Sequence, residues 1–281
     1  MTTTVGLRGS TPALPAEWAA LDRFRSTGMN PSEFANIAAT EDAFWWFQGM
    51  NRMLWSFLDA HLKAQTNGRA LEVGCGTGWV SEQFGMRYPR WQIASMDLAP
   101  EGLRYARGRG LRALAQGDIR HLPYASQTFD ALLALDVIAH LEGEEVGGAL
   151  EEFARVLRPG GLLLLRASAF DLLRSRHSIF VHERTRVRRN SFLPTLERSG
   201  FEPIRHTYAN SLLLPVALLK FRVWEPLTNS VPQSGLQRVP PLLNATLRQF
   251  LFAEAAWIRR GGSFPVGQSL WVLANNAESA P

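Results

Sequence analysis

The chain has 281 residues, 46% of them hydrophobic, enough for one substantial core with added elements or for two small domains; one catalytic domain with decorations is the simpler expectation. Its formal charge of +5 comes from arginine, since the only lysines are Lys63 and Lys220, and it is compatible with an acidic small molecule, a membrane surface or nucleic acid without selecting among them. The single cysteine, Cys75, excludes an internal disulfide, and no His or Cys spacing matches a zinc site, so no metal is expected.

Residues 1–30, rich in Thr, Pro and Gly, lack hydrophobic periodicity and read as a flexible tail. They also lack a basic start followed by an apolar stretch, so no signal peptide is expected and the cytoplasm is the expected location. Over residues 31–66 helical spacing takes over: Phe47, Met50, Leu54, Phe57, Leu58 and Leu62 fall on one face, predicting an N-terminal helical cover. The tract Phe44-Trp45-Trp46-Phe47 at its start reads either as a lid that excludes water from a ligand or as ordinary core.

A short apolar strand at residues 69–73 then runs through Leu71-Glu72-Val73 into Gly74-Cys75-Gly76-Thr77-Gly78. Only glycine lets the backbone turn that tightly and lie flush against a ligand, which points to a nucleotide-type cofactor. A dinucleotide site needs its third glycine at position 79, which here is Trp79, so the spacing argues against NAD. Helices predicted at 79–88, 101–107, 146–157 and 191–199 alternate with strands at 91–96, 111–116, 129–135, 161–165 and 202–208. That alternation predicts a parallel sheet with crossovers, hence a three-layer α/β, Rossmann-like domain over residues 67–208.

A long interval precedes the next strand-like run at 269–274, so residues 209–262 read as an insertion or lid and 263–281 as the last strand and tail. The insertion holds an apolar segment at 212–224, a Pro- and Gly-rich linker near 231–241 and an amphipathic helix at 242–258. Its longest apolar run, 212–219, is interrupted by Pro215 and too short to span a bilayer.

The acid-x-G-x-G-x-G pattern from Glu72 to Gly78 resembles the first motif of class I S-adenosylmethionine (SAM) methyltransferases, and in particular the bacterial type 11 methyltransferase family. Asp97 beyond the glycine turn, Gly117-Asp118-Ile119, the strand start Phe129-Asp130 and the turn Leu157-Arg158-Pro159-Gly160-Gly161 follow at family-like distances. The resemblance implies a mostly parallel sheet with an antiparallel last strand, SAM as cofactor and S-adenosylhomocysteine (SAH) as product. It also implies that Gly74, Cys75, Gly76 and Gly78 approach the methionine part, with Glu72 beneath. Asp97, beside Leu98, would hold the ribose hydroxyls, and Asp118 and Ile119 the adenine. Leu135 and Asp136 would face the amino acid moiety. Read from the residues alone, the alternatives are a strand-end aspartate for Asp97, a turn cap for Asp118 and a helix cap for Glu72.

Methyl transfer is a one-step in-line displacement, for which positioning can contribute on the order of 7 to 11 kcal/mol. An oxygen or nitrogen acceptor that starts protonated also profits from a general base. Three histidines are candidates. His140 sits in Asp136-Val137-Ile138-Ala139-His140-Leu141, similar to the family's D-V-x-x-H-L. His177 and His182, in Ser175-Arg176-His177 and Val181-His182-Glu183-Arg184, resemble an S-R-H…H-x-R segment of a subset of the family, though the tyrosine usual after the basic pair is absent. Each also reads as a structural or surface histidine. Arg166, Arg174, Arg176, Arg184, Arg186, Arg188 and Arg189 either meet an acidic acceptor or form a solvated basic face. The expected activity is SAM-dependent methyl transfer to a small-molecule acceptor at oxygen. The alternatives are a membrane-associated enzyme with a lipid-linked acceptor and a SAM-binding module without catalysis. No nucleic acid partner is expected, because aromatic and basic residues do not interleave.

Overall fold

The computed structural model describes residues 28–63, 67–228, 231–237 and 239–277, so the tail expected over 1–30 lies outside them up to residue 27. Seven strands form one sheet: β1 (Gly68–Val73), β2 (Trp91–Asp97), β3 (Leu114–Gln116), β4 (Phe129–Leu135), β5 (Leu157–Ser168), β6 (Phe201–Ala209) and β7 (Ser269–Asn276), in the order β3-β2-β1-β4-β5-β7-β6. Pairing is parallel from β3 through β5, and β7 inserts antiparallel between β5 and β6. The Rossmann-like sheet with its antiparallel last strand is as expected.

The helices in chain order are α1 (Glu33–Thr40), α2 (Trp45–Leu62), α3 (Trp79–Arg87), α4 (Pro100–Gly108), α5 (Glu145–Val156), α6 (Arg176–Phe180), α7 (Arg189–Arg198), α8 (Leu214–Leu219), α9 (Glu225–Thr228) and α10 (Pro241–Arg259). Strand side chains alternate between two apolar layers. Leu71, Val73, Leu132, Ala134, Leu163 and Leu165 face α5 and α7. Ala70, Ala131, Leu133, Leu164, Trp271 and Leu273 face α2, α3 and α10. Burial on both faces is why these strands read as continuous apolar runs rather than alternating ones.

Two departures from expectation have physical causes. β3 keeps only Leu114–Gln116 of the expected 111–116, because only Ser95, Met96 and Asp97 of β2 pair with it. β5 begins at Leu157, with the register moving from Phe129↔Leu157 to Ala131↔Leu162, so the Arg158-Pro159-Gly160 turn bulges out of the ladder instead of preceding it. The segment expected as an insertion or lid is anchored by α10. Leu251, Ala255 and Ile258 are buried in the α2 layer. Asn244 accepts a hydrogen bond from the Trp45 amide (2.9 Å) and donates to the Ala43 carbonyl (3.0 Å), so the insertion caps α2, whose own first residues supply no side-chain cap.

Candidate active site

The carboxyl ends of the parallel strands open into a cavity of about 890 Å³, lined by the glycine turn, by residues after β2, β3, β4 and β5, and by α1, α2, α6 and the insertion. This is where open α/β sheets place ligands. Gly74, Gly76 and Gly78 all have positive φ (69°, 53° and 76°), a backbone form that side chains disfavour. At Gly74 space forbids a side chain as well: a Cβ would lie 2.5 Å from Val137 Cγ2. The bare turn and the turn after β4 therefore pack backbone against side chain, and both border the cavity.

Asp97, at the end of β2, organises this turn. Its Oδ2 accepts the Gly76 amide (2.7 Å) and its Oδ1 the Ala99 amide (2.8 Å), and burial pushes its carboxyl up to about 6. Each oxygen keeps a lone pair beyond the amide bond, so the carboxylate retains acceptor capacity toward the cavity it lines. Cys75 donates its amide to the Met96 carbonyl (2.9 Å), and burial raises its thiol, leaving a protonated, inert side chain. Glu72 is fully enclosed beneath the turn. Ser81 donates its hydroxyl to Glu72 and accepts from Ser95 (2.7 Å), while desolvation pushes the Glu72 carboxyl up to about 8.

Asp118 and Ile119 follow β3 at the cavity, but Asp118 is not free. Its oxygens accept the Arg120 amide (2.9 Å) and Arg120 Nε and Nη2 (3.0 and 2.6 Å), and the guanidinium holds the carboxyl below its ordinary range against the opposing effect of burial. Leu98 lines the cavity and gives its carbonyl to Gln116 Nε2 (3.0 Å). Asp136, after β4, has φ of 59°, unusual for a residue with a side chain. It is held there by Arg166 of β5, whose Nη2 and Nε donate to Asp136 Oδ2 (2.6 and 3.0 Å) and whose carbonyl accepts the Asp136 amide (2.8 Å). The Arg166 guanidinium lies 4.9 Å from the Trp46 ring and 5.3 Å from Trp271, so the aromatic tract at the start of α2 is both cavity wall and core.

The cover over the glycine turn involves residues that sequence spacing does not single out. Glu41 accepts the Thr77 hydroxyl (2.5 Å) and pairs with Arg109, which also reaches Glu82 (2.8 Å); Trp79 Nε1 donates to Asp42 (2.6 Å). Thr77 lies 36 residues from Glu41, and no periodicity links them. Only the folded chain brings the α1–α2 junction onto the turn.

The three histidines separate. His140 and His177 line the cavity; His182 does not, being exposed with its Nδ1 against the Gly28 carbonyl (3.2 Å) and φ of 59°. His140 Nδ1 lies 3.4 Å from the His182 carbonyl, which can only accept, so Nδ1 carries the proton and Nε2 the lone pair. His177 has the opposite arrangement. Its Nδ1 accepts the Gly235 amide (2.9 Å), which places the proton of the neutral ring on Nε2. A Cβ at Gly235 would lie 3.0 Å from His177 Cγ, so a side chain there would crowd the imidazole. Burial lowers both imidazoles below their ordinary value and favours the neutral rings.

A Rossmann-like sheet with a bare turn and a strand-end carboxylate at its carboxyl edge has the form of a nucleoside-cofactor site. The cradle suits SAM: three positions without side chains adjoin an acid with spare lone pairs, and Trp79 stands where a dinucleotide fold has the third glycine that packs its helix against the strand. A family model described as "Methyltransferase domain" matches residues 71–165. The ubiquinone/menaquinone biosynthesis C-methyltransferase of Syntrophotalea carbinolica is 32% identical over 170 residues, 50% of this chain and 70% of that protein. The malonyl-[acyl-carrier protein] O-methyltransferase of Salmonella typhimurium is 28% identical, over 72% of this chain and 79% of that protein. Among solved structures, geranyl diphosphate C-methyltransferase of Streptomyces coelicolor A3(2), determined with Mg2+, geranyl diphosphate and SAH, superposes with a TM-score of 0.52 at 15% identity, covering 79% of this chain and 77% of that one. The chain belongs to the class I SAM-dependent methyltransferases of the type 11 family. It is an enzyme that uses SAM to methylate a small-molecule acceptor. No helix among the described residues is long and apolar enough to cross a membrane.

Proposed function

We propose that the enzyme methylates an oxygen of its acceptor and that His140 takes up the proton. SAM supplies a methyl group on a sulfonium, a leaving group that departs as SAH when the acceptor oxygen displaces it. In this reading Glu72, Gly74, Cys75, Gly76 and Gly78 hold the methionine part, Asp97 and Leu98 the ribose, Asp118 and Ile119 the adenine, and Leu135 and Asp136 the amino acid end. Arg166, by fixing Asp136 between β4 and β5, orients the turn that carries His140.

The observation that carries the oxygen assignment is the His140 tautomer: Nδ1–H toward the His182 carbonyl (3.4 Å) leaves Nε2 as a proton acceptor on a cavity-lining ring. The acceptor O–H gives its proton to Nε2 as its oxygen takes the methyl, and the imidazolium then releases the proton to water. Positioned bases of this kind contribute roughly 100- to 10,000-fold. His177, with its proton on Nε2, serves as a donor instead. The two relatives named above are a C-methyltransferase and an O-methyltransferase, so the acceptor atom rests on the histidine.

The test is a radiolabelled-methyl assay over an acceptor panel of alcohols, phenols, carboxylic acids and activated carbon acids. His140→Gln is expected to lower kcat by about 100-fold or more on the best oxygen acceptor, with SAH affinity unchanged. The wild-type rate should rise with pH through a midpoint below 6.5, as His140 loses its proton, and level off above it. A preference for carbon acids, or an unaltered rate in His140→Gln, would contradict the assignment.

A second reading is supported by the insertion's surface. Leu219, Leu227 and Leu242 are 62%, 77% and 81% exposed, and Trp224 is 64% exposed while lining the cavity. Such a rim suits an acceptor delivered at a lipid surface. Co-sedimentation with phosphatidylglycerol vesicles at low and high salt separates it from a freely diffusing acceptor.

A further inference from the structure

We infer that the acceptor carries one anionic group, a carboxylate or a phosphate, held by Arg176, Lys220 and the Nε2–H of His177; this rests on the methyltransferase reading above. The cations that line the cavity are Arg120, Arg166, Arg176, Arg186 and Lys220. Three of them are committed to carboxylates: Arg120 to Asp118 and Glu145, Arg166 to Asp136, and Arg186 to Glu183. Arg176 and Lys220 have no carboxylate ion pair among the described residues. Arg176 spends Nη2 on the Glu225 carbonyl (3.1 Å), and its Nε is buried without a partner. That Nε is sealed away from the cavity, but Nη1 makes no hydrogen bond among the described residues and is not buried, so the guanidinium keeps a free donor. Lys220, one of two lysines in the chain, has its Nζ 5.7 Å from the centre of the Phe221 ring.

Local structure brings these groups together. Arg176 and His177 open α6, behind a capping box formed by Ser175 and Ser178. Lys220 begins a five-residue π turn, Lys220–Trp224, between α8 and α9. The wider turn puts Lys220, Phe221 and Trp224 together on the cavity wall, and such turns recur at functional sites. His177 feels the charges of Glu33, Glu183, Lys220 and Arg186.

The nearby acids are already engaged. Glu33 accepts from Asn36 (2.7 Å) and Ser234 (2.8 Å), and lies 3.9 Å from His177 Nδ1, on the side turned to Gly235. Glu183 is paired with Arg186, and Glu225 accepts the Arg176 amide (2.9 Å). Formal charges balance here, so it is the free donors rather than net charge that select an anion. Arg suits the planar fork of a carboxylate or phosphate, and Lys adds a point charge. The surrounding wall of Trp45, Phe47, Leu213, Phe221 and Leu247 leaves the remainder of the acceptor in apolar surroundings.

The experiment is calorimetry on the SAH-loaded full chain with benzoate, phenyl phosphate and neutral benzamide as probes. At least one of the two anions should bind, and more tightly than benzamide; which one does tells carboxylate from phosphate. Lys220→Met and Arg176→Gln should each weaken it roughly 10- to 100-fold, the effect of a lost charged hydrogen bond, while Lys220→Arg retains most of the affinity. SAH affinity and melting temperature, measured on every variant, should stay at the wild-type values. Absence of anion binding in the SAH-loaded wild type, equal binding of benzamide, or unaltered anion affinity in both variants would overturn the inference. So would capture by phosphatidylglycerol vesicles with no binding of the free probes, which places the anion recognised on a lipid. Failure of SAH itself to bind would instead overturn the underlying methyltransferase site.

Discussion

Replacing Glu72 with glutamine tests the buried chemistry beneath the glycine turn. In the folded chain desolvation pushes this carboxyl from 4.5 to about 8, against the hydrogen bond from Ser81. A group whose folded pKa is raised holds its proton in the native state and loses it on unfolding, so its contribution is full below pH 4.5. It is then lost as pH climbs toward 8. At about 1.4 kcal/mol per pH unit, the span amounts to a ceiling of about 5 kcal/mol. The substituted amide would keep a carbonyl for Ser81 and carry no titrating proton. Denaturant unfolding of wild type and Glu72→Gln at pH 5, 6.5 and 8 should therefore show the wild type losing several kcal/mol relative to the variant across the series. Glu254, also raised, titrates in both proteins and cancels in the comparison, whereas Asp97 and Glu41 interact with the Glu72 charge and contribute a smaller part of the difference. A difference between the two proteins that stays constant from pH 5 to 8 would refute a neutral, buried Glu72.

Gly74→Ala should weaken SAH binding by more than tenfold, because the methyl group meets Val137 and a left-handed backbone form costs about 1 to 2 kcal/mol outside glycine; calorimetry on the folded variant reads this directly. Thr77→Val removes the hydroxyl that Glu41 accepts, and should speed SAH release by several-fold in stopped-flow measurements, since it unfastens the α1–α2 junction from the turn. Asn244→Ala should cost about 1 kcal/mol of global stability, the usual worth of a helix cap, and leave SAH affinity unchanged; a loss of SAH binding with intact stability would mean that α10 acts on the cofactor rather than on α2.

The fold was legible because the strands and helices that make the Rossmann-like sheet are local and strongly periodic. Leu71 and Val73, or Val146, Leu150 and Phe153, report their burial in their spacing. The glycine turn and its neighbouring acid were legible for a related reason: each sits at the end of a short apolar strand, and Asp97 accepts a hydrogen bond from the turn at Gly76. What the spacing hid was long-range. The Glu41–Thr77–Arg109 cluster, the cap that Asn244 gives α2, and the Asp136–Arg166 pair join residues that share no period. The histidines show the same division. His140, His177 and His182 looked equivalent as sequence, and only the carbonyl of His182 beside one ring and the amide of Gly235 beside another assign their protons. His182, on a strained exposed turn, supplies a carbonyl rather than a side chain to the site.

A crystal structure of the chain soaked with SAH bears most directly on the account, which has the nucleoside lying over residues 74–78 and its sugar gripped by Asp97. The result expected is both ribose hydroxyls within about 2.5 to 3.0 Å of the Asp97 oxygens, with the Gly76 and Ala99 amides still bound to them. A nucleoside seated elsewhere in the cavity, or a ribose facing away from Asp97, contradicts it.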